Sequence, residues 1–405
     1  MTKFFIVPTW FCALAIAANA CSITLPEDVQ GFAPVILTRS SAKGEYQLFK
    51  PTGKTTEIPD GTQLLLACTG KKNTMESVKS GKSVKSNTLE LKCSSNKFKD
   101  NNNNQHQLKN LVCKTIPSSI LRKTNNKCSK NRGKILEAGF ELNKKFYGPV
   151  FEICYDKESE TTYYTHNTIN GAAINYNIQE STRRAFSADG MKLKTSKTYD
   201  IYAKKNQVER FKKFFGAGQK YIDDASYLAR GHLTPDADFV FGYEQLSTYY
   251  YANVAPEFQN INAGNWLRVE DLARTVAGTH GSDIESYNGY LGLLKLKKSN
   301  GNLIEIFLDD AKQIEAPKYY FKVLLHKPSD AGIVFVTVND PFVRDGPSNE
   351  FCKNVCNATD LTHPNFPTVS KGYTFCCKVD DFKKHFEGLP SDVSASKLLK
   401  RQKQK

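Results

Sequence analysis

The most informative part of the chain reads Ala229-Arg-Gly-His232, then Asn253-Val-Ala-Pro256, then Asn262-Ala-Gly-Asn-Trp266-Leu-Arg-Val-Glu270-Asp-Leu-Ala-Arg274. These segments bring together an imidazole, carboxamides, a carboxylate and guanidiniums. A neutral imidazole can take a proton from water near neutral pH. Magnesium prefers oxygen ligands and keeps most of its waters, and a guanidinium binds phosphate through paired hydrogen bonds. The set therefore suits metal-assisted cleavage of a phosphodiester.

The last segment also predicts a helix over residues 262–276. Trp266, Glu270 and Arg274 are spaced by four and therefore lie on one face of that helix. Glu270 precedes Arg274, which is the favourable order for an ordinary structural ion pair worth about 0.2–0.5 kcal/mol. Trp266 is expected to pack in the core and to hold the helix in place, without a catalytic role.

The three segments resemble those of the DNA/RNA non-specific endonucleases, whose active site is a ββα-metal finger. Ala229-Arg-Gly-His232 is similar to the Asp-Arg-Gly-His motif of that family, and the segments starting at Asn253 and Asn262 follow at the family's intervals. The strand beginning Ala316-Pro-Lys-Tyr-Tyr-Phe-Lys322 also resembles a family strand. The likeness covers residues 140–390, and the signal peptide and cysteine-rich front resemble the secreted arthropod branch.

The resemblance implies chemical roles for the central residues. His232 would be the general base that activates water, and Asn262 would be the direct protein ligand of Mg²⁺, with Mn²⁺ as an expected substitute. Arg230 and an upstream arginine would stabilise the developing charge. Arg184 matches that upstream position best, and Arg183 is the alternative.

The same resemblance assigns supporting roles to three further residues. Asn253 would help to hold the water, the phosphate or His232. Glu270 would orient water bound to the metal, and Arg274 would be its neighbour at the site. The expected products carry a 5′-phosphate.

The chain departs from the family pattern at two positions. Ala229 stands where the family usually has Asp, so any hydrogen bond that this carboxylate accepts to position the loop is missing. Glu257 stands where Gln commonly follows the proline. Neither change removes a catalytic group, so activity is expected to be retained.

Residues 192–230 are rich in Lys and Arg, with Tyr and Phe between the charges. We predict a phosphate-tracking surface next to the catalytic loop. The contacts are expected from Lys204, Lys205, Arg210, Lys212 and Lys213. The alternative is an amphipathic helix around residues 208–215 with a solvated basic face. Contacts to the nucleic-acid backbone carry little sequence information, which agrees with an enzyme of low sequence preference.

The N-terminus is predicted to be a secretory signal peptide, residues 1–20, with an apolar run and small residues before the cleavage site. A retained signal anchor is the alternative. Ten of the eleven cysteines remain after cleavage, an even number typical of disulfides in an oxidising compartment. Adjacent Cys376 and Cys377 are expected to have different partners. A zinc site formed by these two with Cys352 and Cys356 is the alternative, and Asn357 lies in an N-glycosylation sequon.

Composition divides the rest of the chain. Residues 21–137 are polar and cysteine-containing, and they predict a small disulfide-rich β module. Residues 138–392 contain apolar strand-like runs with helical patterns between them, which predict an α+β domain with a mixed or antiparallel sheet. One such run in the front module is Gln63-Leu-Leu-Leu-Ala67. Residues 393–405 read as a basic tail, most simply a solvated terminus.

A formal charge of +15 favours association with polyanions. The expected function is that of a secreted, Mg²⁺-dependent endonuclease that cuts double-stranded RNA and DNA, with no membrane partner. The alternative is a catalytically inactive extracellular binder of nucleic acid or heparin. A zinc hydrolase is disfavoured because the chain has no His-Glu-x-x-His motif or comparable cluster.

Overall fold

The computed structural model describes residues 20–40, 44–78, 86–180 and 182–402. The predicted signal peptide lies, but for Ala20, outside these residues. The described chain is α+β, as predicted, with many strands and few helices. Within that part of the chain, no helix has the length and apolar character needed to cross a membrane.

The strands of the described chain are numbered in sequence order. They are β1 Ala20–Thr24, β2 Val35–Arg39, β3 Gln47–Leu48, β4 Thr55–Pro59, β5 Gln63–Ala67, β6 Met75–Ser77, β7 Thr88–Ser94, β8 Lys97–Lys99, β9 Gln105–His106, β10 Leu111–Cys113, β11 Ser119–Cys128, β12 Gly133–Leu142, β13 Lys145–Asp156, β14 Thr161–Ile169, β15 Leu228–His232, β16 Val254–Phe258, β17 Ile284–Leu293, β18 Lys295–Lys297, β19 Leu303–Glu305, β20 Pro317–His326, β21 Ala331–Val338, β22 Thr374–Cys377 and β23 Lys397–Leu398.

The α-helices are fewer. They are α1 Thr195–Tyr202, α2 Lys204–Phe215, α3 Gly242–Leu246, α4 Gln259–Ile261, α5 Leu267–His280 and α6 Val379–Lys383, with a π-helical segment Asn262–Trp266 joining α4 to α5.

The main sheet of the described chain has nine strands. Its order is β11-β12-β13-β14-β17-β20-β21-β22, and β23 pairs with β21. All of these pairs are antiparallel except β21 with β23, so the predicted mixed sheet is present. β20 and β21 are almost wholly buried, which explains why their sequences are continuous apolar runs without alternation.

Helix α5 covers one face of this sheet and α6 covers the other. The buried stripe of α5 includes Val269, Ala273 and Val276, and it shares a core with strand residues such as Leu324 and Phe335. That stripe follows the 3.6-residue period of an amphipathic helix. Trp266 is completely buried in the same core, as predicted. The helix carrying the predicted site residues is therefore held rigidly against the sheet.

The front module has a second sheet, in the order β3-β2-β5-β7-β8-β9. Its core continues into residues far along the chain, because Phe49 packs 6.0 Å from Phe241 and Tyr243 packs 5.6 Å from Phe140. The main sheet also begins at Ser119, ahead of the boundary expected at residue 137. The module is thus packed against the following domain through a shared apolar core.

All ten cysteines outside the leader are paired. The disulfides are Cys21–Cys93, Cys68–Cys113, Cys128–Cys154, Cys352–Cys377 and Cys356–Cys376. The adjacent cysteines near the C-terminus have different partners, as predicted, and the zinc alternative does not apply. Asn357 is exposed on a short 3-10 turn beside one of these bridges.

The predicted basic tail is partly ordered. Lys397–Leu398 forms β23, Val393 and Leu399 are buried, and the Arg401 backbone N–H donates to the carbonyl of Thr359. A solvated terminus was therefore the wrong interpretation for residues 393–401. The apolar residues between the lysines explain the difference, because they dock on the sheet while the charges remain in water.

His166 in β14 lies between two carboxylates of neighbouring strands. Its Nδ1 is 3.3 Å from Glu152 and its Nε2 is 2.5 Å from Glu285, and its ring stacks on Tyr287. Burial opposes charging of the ring, but the two carboxylates outweigh it and raise the pKa of His166 to about 9.

This pair of contacts predicts a pH-dependent stability. Because the folded pKa lies above the unfolded value of about 6.5, the stabilisation is complete below pH 6.5 and is lost as pH rises through 9. We expect His166→Gln to lower the Tm more at pH 6 than at pH 10. Thermal unfolding of both proteins checks this, and equal losses at the two pH values would contradict it.

Candidate active site

The predicted motif residues lie on a two-stranded antiparallel ladder followed by a helix. β15 pairs with β16, with His232 opposite Val254 and Ala229 opposite Glu257. The chain then continues directly into the helical segment from Gln259 to His280. This is a ββα arrangement, and alternation along β15 places Arg230 and His232 on the same face.

His232 is half-buried, and its Nε2 is buried without a hydrogen-bond partner among the described residues. Its ring lies 5.2 Å from Phe186 and 5.1 Å from Tyr249. Burial lowers the pKa of His232 to about 4; Asp236 opposes this shift and Arg183 adds to it. The imidazole is therefore neutral at physiological pH, the form that can accept a proton.

Arg230 is surrounded by aromatic rings. Its guanidinium carbon lies 5.3–5.8 Å from the ring centroids of Phe186, Tyr199, Tyr202 and Tyr251. Its Nε is buried without a partner, and in the described chain no carboxylate forms an ion pair with it. Cation–π contacts thus position the guanidinium while its charge stays uncompensated.

Asn253 is completely buried and its carboxamide is fully occupied. Its Oδ1 accepts from the Thr234 backbone N–H at 3.0 Å, and its Nδ2 donates to the carbonyls of Thr234 and Thr248 at 2.9 Å. The Asn253 carbonyl also accepts from the N–H of Leu233 at 2.9 Å. Of the three roles expected for Asn253, these bonds fit the positioning of His232, because they hold the turn that follows it.

Asn262 lies at the start of the π-helical segment, where Gly264 has non-helical backbone angles. π-turns are uncommon and often occur at functional sites. The Asn262 side chain is half-exposed and makes no hydrogen bond to another described residue. A Cβ on Gly264 would come within 2.7 Å of the Lys371 carbonyl. Only glycine allows the backbone at 264 to pack this closely against Lys371, and this contact holds the π-helical turn that carries Asn262.

Glu270 lies in the first turn of α5. Burial raises the pKa of Glu270 to about 8, against the effects of Lys322 and Arg274 and together with those of Asp238 and Asp236. Its carboxyl makes no hydrogen bond to another described residue. Arg274 does not pair with it directly, but donates to Asp271 at 2.5 Å and to Asp238 at 3.4 Å. The expected Glu270–Arg274 ion pair is therefore absent. The guanidinium binds Asp271 and Asp238 instead, and Asp238 belongs to a segment distant in the sequence.

The upstream arginine beside His232 is Arg183. Its guanidinium donates to the Tyr249 hydroxyl at 2.8 Å and to Asp236 at 3.3 Å, although the side chain is 79% exposed. The charge of Arg184 acts instead on Tyr250, where it opposes the raised pKa of that hydroxyl. The structure thus brings Arg183, the alternative candidate, into the site, whereas Arg184 was preferred from the sequence.

This difference can be tested with a matched pair of substitutions. We expect Arg183→Gln to slow turnover of bis(p-nitrophenyl) phosphate by about 10- to 100-fold, less than the 10²–10³-fold loss typical of a buried donor, because its side chain is exposed. Arg184→Gln should change turnover of bis(p-nitrophenyl) phosphate, a small diester, by less than about twofold. A larger loss from Arg184→Gln would restore the sequence-based assignment.

Glu257 is buried beside the motif in a way that the sequence did not predict. It is completely buried, and both carboxyl oxygens lack partners among the described residues. A Cβ on Gly231 would come within 2.3 Å of its Oε2 and 3.0 Å of the Tyr320 hydroxyl. Burial raises the pKa of Glu257 well above its usual value, and Glu270 adds to this. Glu257 thus fills the space under the motif glycine opposite Ala229, the other departure from the family pattern.

A buried polar network lies beneath the site. Lys322 is completely buried, with its Nζ 2.5 Å from Asn288 and 3.5 Å from Asp238. Asn288 donates in turn to the Thr234 hydroxyl at 3.3 Å. The network therefore connects Arg274 and Asp238 to the turn after His232. Its only sequence signal was a lysine within the apolar run of β20.

The predicted basic surface is largely neutralised. Lys204 pairs with Asp224, Lys212 pairs with Glu209, and Arg210 pairs with Asp310. Arg210 also donates to the carbonyls of Phe307 and Asp309, and its side chain is only 13% exposed. Arg210 therefore ties α2 to a loop and is not free for substrate, while Lys205 and Lys213 remain exposed without an ion pair in the described chain.

The donor set fits a hard divalent cation that keeps most of its water. In the described ranges, no cluster of three His, Cys, Asp or Glu side chains could form a protein cage for a metal. What is present is the unbonded carboxamide of Asn262 and the two raised-pKa carboxyls of Glu257 and Glu270. An oxygen ligand from the protein, with water and phosphate oxygens in the other positions, suits a hard divalent cation.

The chain is similar to known proteins over most of its length. Residues 131–382 match the model of the DNA/RNA non-specific endonucleases. The chain belongs to this family. The chain is 37% identical to salivary protein Tsal1 of Glossina morsitans morsitans over 385 residues, 94% of each protein. It is 32% identical to the salivary endonuclease of Lutzomyia longipalpis over 398 residues, 95% of this chain and 89% of that protein. A chain of the solved EndoG/EndoGI complex is similar with a TM-score of 0.37 and 15% identity, over 64% of this chain and 90% of that one.

Membership of the non-specific endonuclease family confirms the predicted fold class and enzyme class. The protein is an endonuclease, so its substrate is nucleic acid, and the family's ββα-metal site implies dependence on a divalent metal. The individual residue roles stay predictions.

Proposed function

We propose that the protein is a secreted endonuclease that uses Mg²⁺, with Mn²⁺ as a substitute, to hydrolyse double-stranded RNA and DNA with little sequence preference. His232 acts as the general base and Asn262 as the metal ligand, and the products carry 5′-phosphates. The observation that carries this proposal is the neutral, half-buried imidazole of His232 on the same strand face as the uncompensated guanidinium of Arg230.

The base function follows from the surroundings of His232. Nε2 is buried without a partner, so we assign Nδ1 as the nitrogen that accepts the proton from water. Asn253 holds the following turn through backbone bonds, so the ring has a defined direction. Arg183 disfavours the imidazolium, which keeps the ring ready to accept a proton.

Charge stabilisation falls to the arginines and the metal. The four rings around Arg230 leave its charge available to a phosphate. Arg183 is held by the Tyr249 hydroxyl and Asp236 and is exposed enough to reach a substrate. Asn262 would hold the divalent metal and Glu270 would orient its water; the metal would neutralise charge on the phosphate.

Secretion is supported by the leader-like N-terminal sequence, the disulfides and the salivary names of the relatives. Activity on both RNA and DNA is supported by the family and by a site made of phosphate-directed groups without base-reading features. The sequon at Asn357 is exposed, which is compatible with glycosylation of the secreted protein.

The decisive experiment compares plasmid nicking and degradation of double-stranded RNA with Mg²⁺ and with EDTA. Cleavage of both substrates that requires the metal is the expected result. If Mg²⁺-loaded protein leaves both substrates intact while still binding them, the alternative of an inactive polyanion binder replaces this proposal. Cleavage of only one nucleic acid would overturn the dual specificity and keep the mechanism.

A further inference from the structure

A cavity of about 500 Å³ lies away from His232, at the open edge of the main sheet. It is lined by the β11–β12 hairpin, by the turn after β13 and by Gly190. β11 is the terminal strand in the order of this sheet. An edge strand carries backbone groups that are not used in the ladder.

The cavity has an excess of uncompensated positive charge. Four of its lysines are exposed and form no ion pair with any described residue: Lys123, Lys127, Lys134 and Lys157. Two acids also line it; Lys192 compensates the charge of Glu158, and the four lysines outnumber the remaining carboxylate of Asp156. Asp156 accepts from the Glu158 backbone and the Ser159 hydroxyl, and Glu158 pairs with Lys192.

Two of these lysines repel each other within the ladder. Lys127 of β11 is directly opposite Lys134 of β12. Like charges in that position destabilise a sheet by a fraction of a kcal/mol up to about 1 kcal/mol. The β11–β12 pairing is also irregular between Lys123 and Lys127, where residues 124–126 bulge from the ladder. A local conflict of this kind is expected where a site is kept for a ligand, and an anion between the lysines would relieve it.

The cavity is connected to the catalytic site by a short stretch of chain. Phe186 touches the ring of His232, and Gly190 lines the cavity. Four residues span at most about 14 Å at 3.3–3.6 Å each, which is about four base pairs of duplex at 3.4 Å per step. Next to Phe186, Ser187 pairs with Tyr250, whose hydroxyl is 2.9 Å from that of Ser119 at the start of β11.

We propose that this cavity, with Lys123, Lys127, Lys134 and Lys157, is a second binding site for the phosphodiester backbone of the nucleic-acid substrate. It holds the substrate on one side of the scissile bond at His232. This inference rests on the proposed function. The phosphate-tracking surface then lies on the sheet edge, where the four lysines form no ion pairs. It does not lie on α2, where most of the basic side chains are paired.

The test measures binding of a duplex of about 30 base pairs in EDTA across a salt series, because each phosphate contact contributes about 0.9 to the log–log slope. A variant with all four lysines changed to Gln should lose up to about 3.6 in slope. Turnover of bis(p-nitrophenyl) phosphate with Mg²⁺ should be unchanged, because a small diester does not reach the cavity.

Two control variants make the result specific. Changing the exposed module lysines Lys92, Lys97, Lys109 and Lys114 to Gln removes the same charge and should leave the slope close to wild type. Changing the four cavity lysines to Arg keeps the charge and should also preserve it. An unchanged slope in the cavity Gln variant, or an equal loss in the module variant, overturns the inference. If the wild-type protein with Mg²⁺ does not turn over the small diester at all, that result would instead contradict the proposed function.

Discussion

His232→Ala should reduce cleavage of plasmid DNA and double-stranded RNA by 10²- to 10⁴-fold, the contribution typical of a positioned general base. The loss should appear in kcat, because the imidazole acts on the water and contributes little to holding the substrate. Binding of a duplex in EDTA should be unchanged. His280→Ala, at the far end of α5, is a matched control that should keep wild-type activity. Residual activity within tenfold of wild type would remove His232 from the role of base.

The pH profile gives a second check on the same residue. Burial lowers the pKa of His232 to about 4, so the ring stays neutral at and above pH 5. The acid limb of kcat/KM attributable to this group should therefore lie near pH 4, well below the value of about 6.5 for a free imidazole. The unfolded chain binds this proton below pH 6.5 and the folded chain does not, so stability falls as pH drops from 6.5 toward 4. An acid limb near 6.5 would show that the ring is not protected from protonation.

Lys322→Met should lower the free energy of unfolding by about 3–5 kcal/mol, the range for removing one partner of a buried charge pair. The substitution leaves the Asp238 carboxylate buried with Arg274 as its remaining ion pair. It also deprives Asn288 of a hydrogen bond, and Asn288 reaches the turn after His232 through Thr234. Activity should therefore fall together with stability.

Urea unfolding measures the change, and Lys318→Met is the control. Lys318 is on the same strand but partly exposed, so the same substitution there should cost less than about 1 kcal/mol. The double variant Lys322→Met with Asp238→Asn should recover part of the loss, because it removes both members of the pair. Equal effects of Lys322→Met and Lys318→Met would mean that the buried network contributes little.

The features that were predictable from the sequence are those encoded by local spacing. These are the motif at Arg230 and His232, the apolar runs of β20 and β21, and the expectation that adjacent Cys376 and Cys377 have different partners. Trp266 as a core residue belongs to the same group. Each depends on periodicity or on neighbours that move as one unit, so no long-range information was needed.

The choice between Arg183 and Arg184 could not be made in that way. Both arginines are adjacent in sequence, and which one reaches His232 depends on Tyr249 and Asp236, contributed by other parts of the chain. Arg210 likewise appeared free until the carbonyls of a loop about a hundred residues later were placed around it.

Sequence alone therefore indicated the family, the ββα arrangement and the candidate reacting groups, because these depend on residues close together in the chain. Tertiary structure decided which charges are available, which carboxyls are buried and where a nucleic-acid backbone can lie. The physical reason is that a charge is compensated by whatever the fold brings within a few ångströms of it. The roles assigned to Glu257, Lys322 and the sheet-edge lysines depend on neighbours that are distant along the chain, so the sequence did not reveal them.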